Sequence, residues 1–283
     1  MNSLKLAQHI NSLADISDIM RAMKYLSQIE INKLSRYIAH QKRATLSIEL
    51  AAIDFLSFHP ELMEDAKRAS QTIIVLGSER GFCGNYNAAL QQSLVDYLSK
   101  PANANLDTRI ISVGYKLHNK FKRHPQLYSE LSGPRLTEEI PDIISELISK
   151  LTPNLDKPQA MTLLVLHHDE DNQHPVFRNI LPAFQSLDSA VAPYTTPPLT
   201  NIPKIELFSS LVDEYLFALL NQVFYAAFMA ENQYRIRHVE NAINKINEKI
   251  SGLSLKRNEA RQEEITEELE VIMLSSSEIE PSE

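Results

Sequence analysis

Thirteen of the fourteen prolines and five of the six glycines lie between Pro60 and Pro203. Residues 1–59 contain neither type, and 204–280 hold only Gly252. Glycine and proline are the residues that most readily interrupt a helix. Each end of the chain is therefore free to run as one helix, roughly 90 and 110 Å long at 1.5 Å rise per residue. An ordinary helix has about 11–12 residues. The distribution predicts three parts: an N-terminal shaft helix over 1–60, a central α/β domain with its linker over 61–203, and a C-terminal shaft helix over 204–283.

Heptad spacing predicts that the ends pair as an antiparallel coiled coil. Val239, Ile243, Ile246, Ile250 and Leu253 step by 4, 3, 4 and 3 residues, the seam of a coiled coil. Ile265, Leu269 and Ile272 continue the step in a displaced register. On the first helix the spacing selects Ile16, Ile19, Met23 and Leu26, then Ile31, Leu34 and Ile38, with Glu30 interrupting the stripe. Both ends are anchored in one central domain, which favours pairing within the chain. Charge is uneven along the shaft. Nine glutamates and one basic residue, Arg261, lie between 259 and 283, whereas Lys33, Arg36, Lys42 and Arg43 make part of the first helix basic.

In the middle, 71–77 and 109–114 read as buried strands, and 161–166 as a third, with 176–184 pairing back on it. A helix with Tyr86, Leu90, Leu94 and Leu98 on one face follows the first strand, Asn85 standing at its N-cap. A second amphipathic stretch covers 140–151. Strand–helix alternation implies a mostly parallel sheet flanked by helices. The Pro-rich stretch 193–203 leads into the last helix.

Several function classes are disfavoured. A net charge of −8 argues against nucleic acid, whose phosphates need a basic face. Cys83 is the only cysteine, which excludes an internal disulfide and fits a reducing compartment. The first residues lack the apolar stretch of a signal peptide and the Arg-rich character of a transit peptide. The most apolar segment, 215–230, is too short to span a bilayer and is expected to pack on the central domain.

No convincing catalytic centre emerges, and no cofactor or metal is expected. Gly77, Gly81 and Gly84 follow a strand and open a helix, the place of a phosphate loop. They match neither the dinucleotide nor the Walker spacing, so a structural turn is the better reading. Cys83, in that turn, reads as a packing residue rather than a reactive thiol. His167, His168 and His174 with Asp169, Glu170 and Asp171 match no standard metal spacing and are expected in a solvated hairpin loop.

Three blocks, in order, carry a family resemblance. Asn258-Glu-Ala-Arg-Gln-Glu-Glu-Ile-Thr-Glu-Glu-Leu269 resembles the C-terminal signature of the γ subunits of F-type ATP synthases. Ile19-Met-Arg-Ala-Met23 resembles the family's I-T-K-A-M block, and Ser78 to Asn87 its D-R-G-L-C-G-x-x-N turn. Glu231, Arg235 and Ala242 echo a further spaced motif. The resemblance covers essentially the whole chain.

It implies a Rossmann-like central domain and a rotor. The γ shaft stands in a ring of three α and three β subunits, which supply the nucleotide chemistry. Its globular end rests on the ε subunit and the membrane c-ring, at the cytoplasmic face of the bacterial inner membrane. Residue by residue, the resemblance implies β-subunit contacts at Arg261, Gln262, Thr266, Glu268, Met23 and Arg235. The chain also departs from the pattern. Where the family's first helix continues M-V-A-A-x-K, this one has Tyr25-Leu-Ser-Gln-Ile-Glu30, and the Asp of the turn is Glu79. Such shifts point to a divergent member, of the kind found in an alternative ion-translocating ATPase operon. Two rival readings stand beside it: an α/β enzyme dimerising through helical arms, and a coiled-coil scaffold.

Overall fold

The structure is a computed structural model that describes residues 2–62, 70–101, 103, 106–151, 161–169, 174–184 and 196–277. Helix α1 (Ser3–Leu56) and helix α5 (Lys204–Ser277) occupy the stretches free of proline. Pro203 marks the start of α5, its carbonyl accepting the bond from Leu207 N–H at 3.0 Å. Between them lie strand β1 (Ser70–Leu76), helix α2 (Tyr86–Leu98), strand β2 (Asp107–Val113), helix α3 (Tyr115–Phe121), strand β3 (Leu127–Leu131), helix α4 (Ile140–Leu151), strand β4 (Met161–His168) and strand β5 (Pro175–Leu181). No helix among the described residues is long and apolar enough to cross a membrane.

The chain forms two compact units, one of residues 1–26 with 236–283 and one of residues 27–235. In the first, α1 and α5 pair antiparallel. Ser3 donates its N–H and hydroxyl to the two carboxylate oxygens of Glu264, at 3.0 and 2.6 Å. Lys24 meets Glu240 further along. The α5 seam is the one the spacing predicts, with Val239 and Ile243 buried and Ile246, Ile250 and Leu253 half-buried.

The α1 seam differs from the expectation. Leu6 is buried, and Ile10, Leu13, Ser17 and Met20 follow it at 4, 3, 4 and 3 residues. Ile16, Ile19 and Leu26 are instead 43%, 63% and 56% exposed. The two stripes share one heptad spacing and differ by a residue in register. Small Ser17, fully enclosed, occupies a seam position that a hydrophobicity count assigns to its neighbour Ile16. The second α5 stripe, Ile265, Leu269 and Ile272, is likewise exposed.

The second unit is built on a five-stranded sheet in the order β3-β2-β1-β4-β5, with all neighbours parallel except β4 and β5. Strand β1 is central, and its side chains divide between two cores as a pleat requires. Ile74 and Leu76 join Leu34, Phe55, Ile144, Leu219 and Phe224 on the face covered by α1, α4 and α5. Ile73 and Val75 join Tyr86, Leu90, Leu94, Leu117 and Phe121 on the opposite face. The apolar segment 215–230 packs on the sheet as expected, most of it in the first core and Ala230 in the second. Strand β3, which the sequence did not announce, is an edge strand with Tyr128 and Glu130 turned outward, so it carries no apolar run.

Candidate functional site

The turn after β1 and the loop after β3 lie at the carboxyl ends of their strands, and chemistry-bearing side chains gather there. At Gly77 an added Cβ would fall 2.3 Å from Leu117 Cβ and 2.9 Å from Asn87 Oδ1. Glycine there permits α3 to sit against the strand end. Gly84 has φ of +57°, in the left-handed region. Gly81 lies outside the left-handed region and an added Cβ would make only an ordinary contact with Lys116 Cε at 3.8 Å, so neither reason holds for it. Asn85 occupies the N-cap position of α2 but makes no side-chain cap bond. Asn87, within α2, ties the helix to the turn, accepting from Ser78 N–H at 3.0 Å and donating to the Ser78 hydroxyl at 2.8 Å.

Below this turn is a buried ion pair. Arg235 and Glu231, one helical turn apart on α5, are in direct contact and 5% and 2% exposed. The guanidinium also donates to Asn232 Oδ1 at 2.9 Å, Gly81 O at 3.4 Å and Cys83 Sγ at 3.4 Å. Burial pushes the Glu231 carboxyl up to about 7, against the pull of Arg235. Burial alone would lower the arginine, but the Glu231 charge outweighs it and holds the pKa above the usual value. Cys83 is enclosed, and burial with the Glu231 charge pushes its thiol up to about 12. It is a packing and hydrogen-bonding group, not a thiolate nucleophile.

Glu79, in the same turn, accepts from Tyr115 N–H and Gly133 N–H, both at 2.9 Å, and from the Arg135 guanidinium at 3.2 Å. Burial raises its pKa, but these three donors prevail and hold it below the usual carboxylate value. Beside it opens a cleft of about 600 Å³ lined by Glu79, Arg80, Tyr115, His118, Lys122 and Arg135. Its acids are already engaged, Glu79 as described and Glu130 by His118.

Glu30, an interruption of the apolar stripe in sequence, is 7% exposed and has a definite task. It accepts the N–H and the hydroxyl of Thr137, at 2.9 and 2.6 Å, where the chain enters a 3-10 turn leading into α4. Its other oxygen takes Lys33 at 3.0 Å, and Lys33 also holds Glu138 at 3.0 Å. The sequence signal for this was an acid in an apolar stripe, which is costly unless it is paired.

Two of the three histidines are placed differently from the expectation, while His174, just before β5, is exposed as expected. His167 and His168 belong to β4 and are buried, not in a solvated loop. An apolar strand keeps both rings inside by pairing them. His168 Nε2 meets Tyr86 O at 2.9 Å, and its ring stacks on Tyr86 at 4.1 Å. His167 Nδ1 meets His168 O, and burial holds its pKa down at about 4. Glu170 and Asp171 lie outside the described residues. Among those described, no His, Cys, Asp and Glu group is arranged to hold a metal.

The remaining candidates lie in the unit of paired helices. Arg261, Gln262, Thr266 and Glu268 are exposed on α5 and Met23 is half-buried on α1. The Thr266 hydroxyl donates back to Gln262 O at 2.9 Å. Among the candidate contacts, Arg235 alone is engaged inward.

Comparison with known proteins agrees along the full chain. A family model described as ATP synthase matches residues 2–277. The ATP synthase gamma chain of Rickettsia prowazekii (strain Madrid E) is 26% identical over 281 residues, spanning 95% of this chain and 96% of that one. That of Brevibacillus brevis is 22% identical, spanning 96% and 97%. Among solved structures, a chain of the Euglena gracilis mitochondrial ATP synthase rotor superposes with a TM-score of 0.64 at 16% identity, covering 93% of this chain and 98% of that one. A chain of the Tetrahymena thermophila central stalk and c-ring gives 0.54 at 14% identity, covering 79% and 99%. At such identities the structural likeness speaks to the fold.

Proposed function

Because the chain belongs to the ATP synthase family, we propose that it is the γ subunit, the central rotor shaft that couples ion flow through a membrane c-ring to ATP synthesis and hydrolysis. The observation that carries this reading is the antiparallel pairing of the chain's two ends, Ser3 with Glu264 and Lys24 with Glu240, in a chain matched to the family from 2 to 277. Torque needs a stiff element anchored at one end, and two long helices bound side by side supply it.

In this role the chain performs no nucleotide chemistry. The α and β subunits, three of each, hold the catalytic sites, and the ε subunit and c-ring engage the sheet-bearing unit. Arg261 and Gln262 contact the β subunit, with Thr266 and Glu268 in the same polar zone and Met23 on the facing helix. Arginine suits that contact, since its planar fork holds a carboxylate through two bonds. Exposed Ile265, Leu269 and Ile272 supply apolar surface to the surrounding ring. The inward engagement of Arg235 fits an anchor within the subunit better than a β contact. The complex holds the chain at the cytoplasmic face of the bacterial inner membrane.

Native mass spectrometry of the complex that co-purifies with this chain tests the reading. One copy bound to three each of two larger subunits is the expected result. A lone chain or homodimer, under conditions that keep ATPase complexes intact, would refute it and favour an α/β enzyme.

A further inference from the structure

The polar groups described above join into one path from α5 to α1. Arg235 holds Gly81 O and Cys83 Sγ in the turn after β1. Glu79 of that turn holds Gly133 N–H and Arg135 in the loop after β3. Arg135 N–H donates to Glu139 at 2.7 Å, and Leu136 N–H does so at 3.3 Å. The next residue, Thr137, gives both its donors to Glu30 on α1. The three carboxylates and the guanidinium nearest the core (Glu30, Glu79, Glu231 and Arg235) are each less than a tenth exposed.

The position of this path matters as much as its continuity. The sheet-bearing unit spans 27–235. Arg235 is its last residue, and Glu30 lies within one helical turn of its first. Each long helix is thus gripped where it leaves the unit. Apolar packing holds a helix in its groove through interdigitated side chains, and the polar path adds contacts of fixed direction to it. Charge-assisted hydrogen bonds are directional, short where Thr137 meets Glu30 and longer, at 3.4 Å, where Arg235 meets Gly81 and Cys83, and buried polar groups are best attested as devices that fix register.

We propose that this path is a torsional collar, through which the sheet-bearing unit turns both helices together, with Glu30, Glu79 and Arg235 as its positioning residues. The proposal rests on the rotor reading and adds the route by which torque enters the shaft. Glu30 stands where the resembled helix pattern carries Lys, so the grip on α1 is not part of that pattern.

The test uses the whole complex carrying Thr137→Val or Thr137→Ser, with Glu30→Gln as a second change on the same contact. Torsional stiffness of the rotor is read by single-molecule rotation, and ions pumped per ATP by a vesicle assay. Valine removes one of the two Thr137 donors, so stiffness and pumping per ATP should both fall below native, with ATP hydrolysis and assembly retained. Serine keeps the hydroxyl and should behave as native. Equal stiffness and pumping in the valine, serine and native complexes would overturn the collar, as would an unchanged Glu30→Gln complex. Failure of the native chain itself to assemble with an α/β ring would instead refute the rotor reading beneath it.

Discussion

Gly77→Ala is a one-carbon change whose cost follows from distances. The new Cβ would lie 2.3 Å from Leu117 Cβ, 2.7 Å from Leu117 Cδ2 and 2.9 Å from Asn87 Oδ1. Carbon atoms rest about 3.5–4.0 Å apart, so the strand end and α3 must part by more than about 1 Å. Retreat is resisted, since Gly77 N–H is bonded to Val113 O at 2.9 Å and Gly114 packs directly against Gly77 O. Overpacking of this kind costs about 1–3 kcal/mol. Displacing Asn87 from Ser78 adds about 1 kcal/mol for a lost hydrogen bond. The expected loss is about 2–4 kcal/mol, local to the sheet-bearing unit.

Native-state hydrogen exchange of β1 and β2 amides reads that loss without involving the long helices. A second substitution makes the argument sharper. Leu117→Ala retains the Cβ that clashes, so Gly77→Ala should stay costly in that background. Leu117→Gly removes the Cβ, and the cost of Gly77→Ala there should drop to about 1 kcal/mol, the part due to Asn87, a coupling that contacting residues show in double-mutant cycles. Equal costs in the two backgrounds, or a Gly77→Ala protein within about 0.5 kcal/mol of native, would refute the close-approach account of this glycine.

Three further outcomes are expected. His167 has a folded-state pKa of about 4 against an ordinary 6.5, so its contribution to stability is complete above pH 6.5 and is lost as pH falls toward 4. The loss amounts to something on the order of 3 kcal/mol. A His167→Phe chain should show a flatter acid limb in urea titrations between those pH values, and an unchanged limb counts against the assignment. Cys83, with its thiol pushed up to about 12 and its side chain enclosed, should resist iodoacetamide at pH 8 until the sheet-bearing unit opens. Rapid stoichiometric labelling of the native chain would contradict its burial. Because Arg261 and Gln262 are exposed, changing both to Ala should alter the chain's own stability by less than about 0.5 kcal/mol. The same pair should weaken coupling or assembly in the complex, and unchanged turnover, coupling and assembly would remove the role proposed for them.

Much of this architecture is legible in the chain because it depends on local physics. A stretch without glycine or proline has nothing to end its helix, and apolar runs such as Thr72–Leu76 and Leu163–Leu166 are buried on both faces in a parallel sheet. The spacing of Val239, Ile243, Ile246, Ile250 and Leu253 selects one face of α5 whatever lies opposite. The ordered motifs around Met23, Gly81 and Arg261 were sufficient for the family. What tertiary structure alone decided is which of two equally spaced stripes on α1 faces α5, because spacing is blind to a one-residue shift of register. It also decided that His167 and His168 lie inside a strand, where Tyr86, 82 residues away, satisfies His168. The acid at Glu30 shows the limit most clearly. In sequence it breaks a pattern, and only the fold brings Thr137, 107 residues away, to give a buried carboxylate its donors.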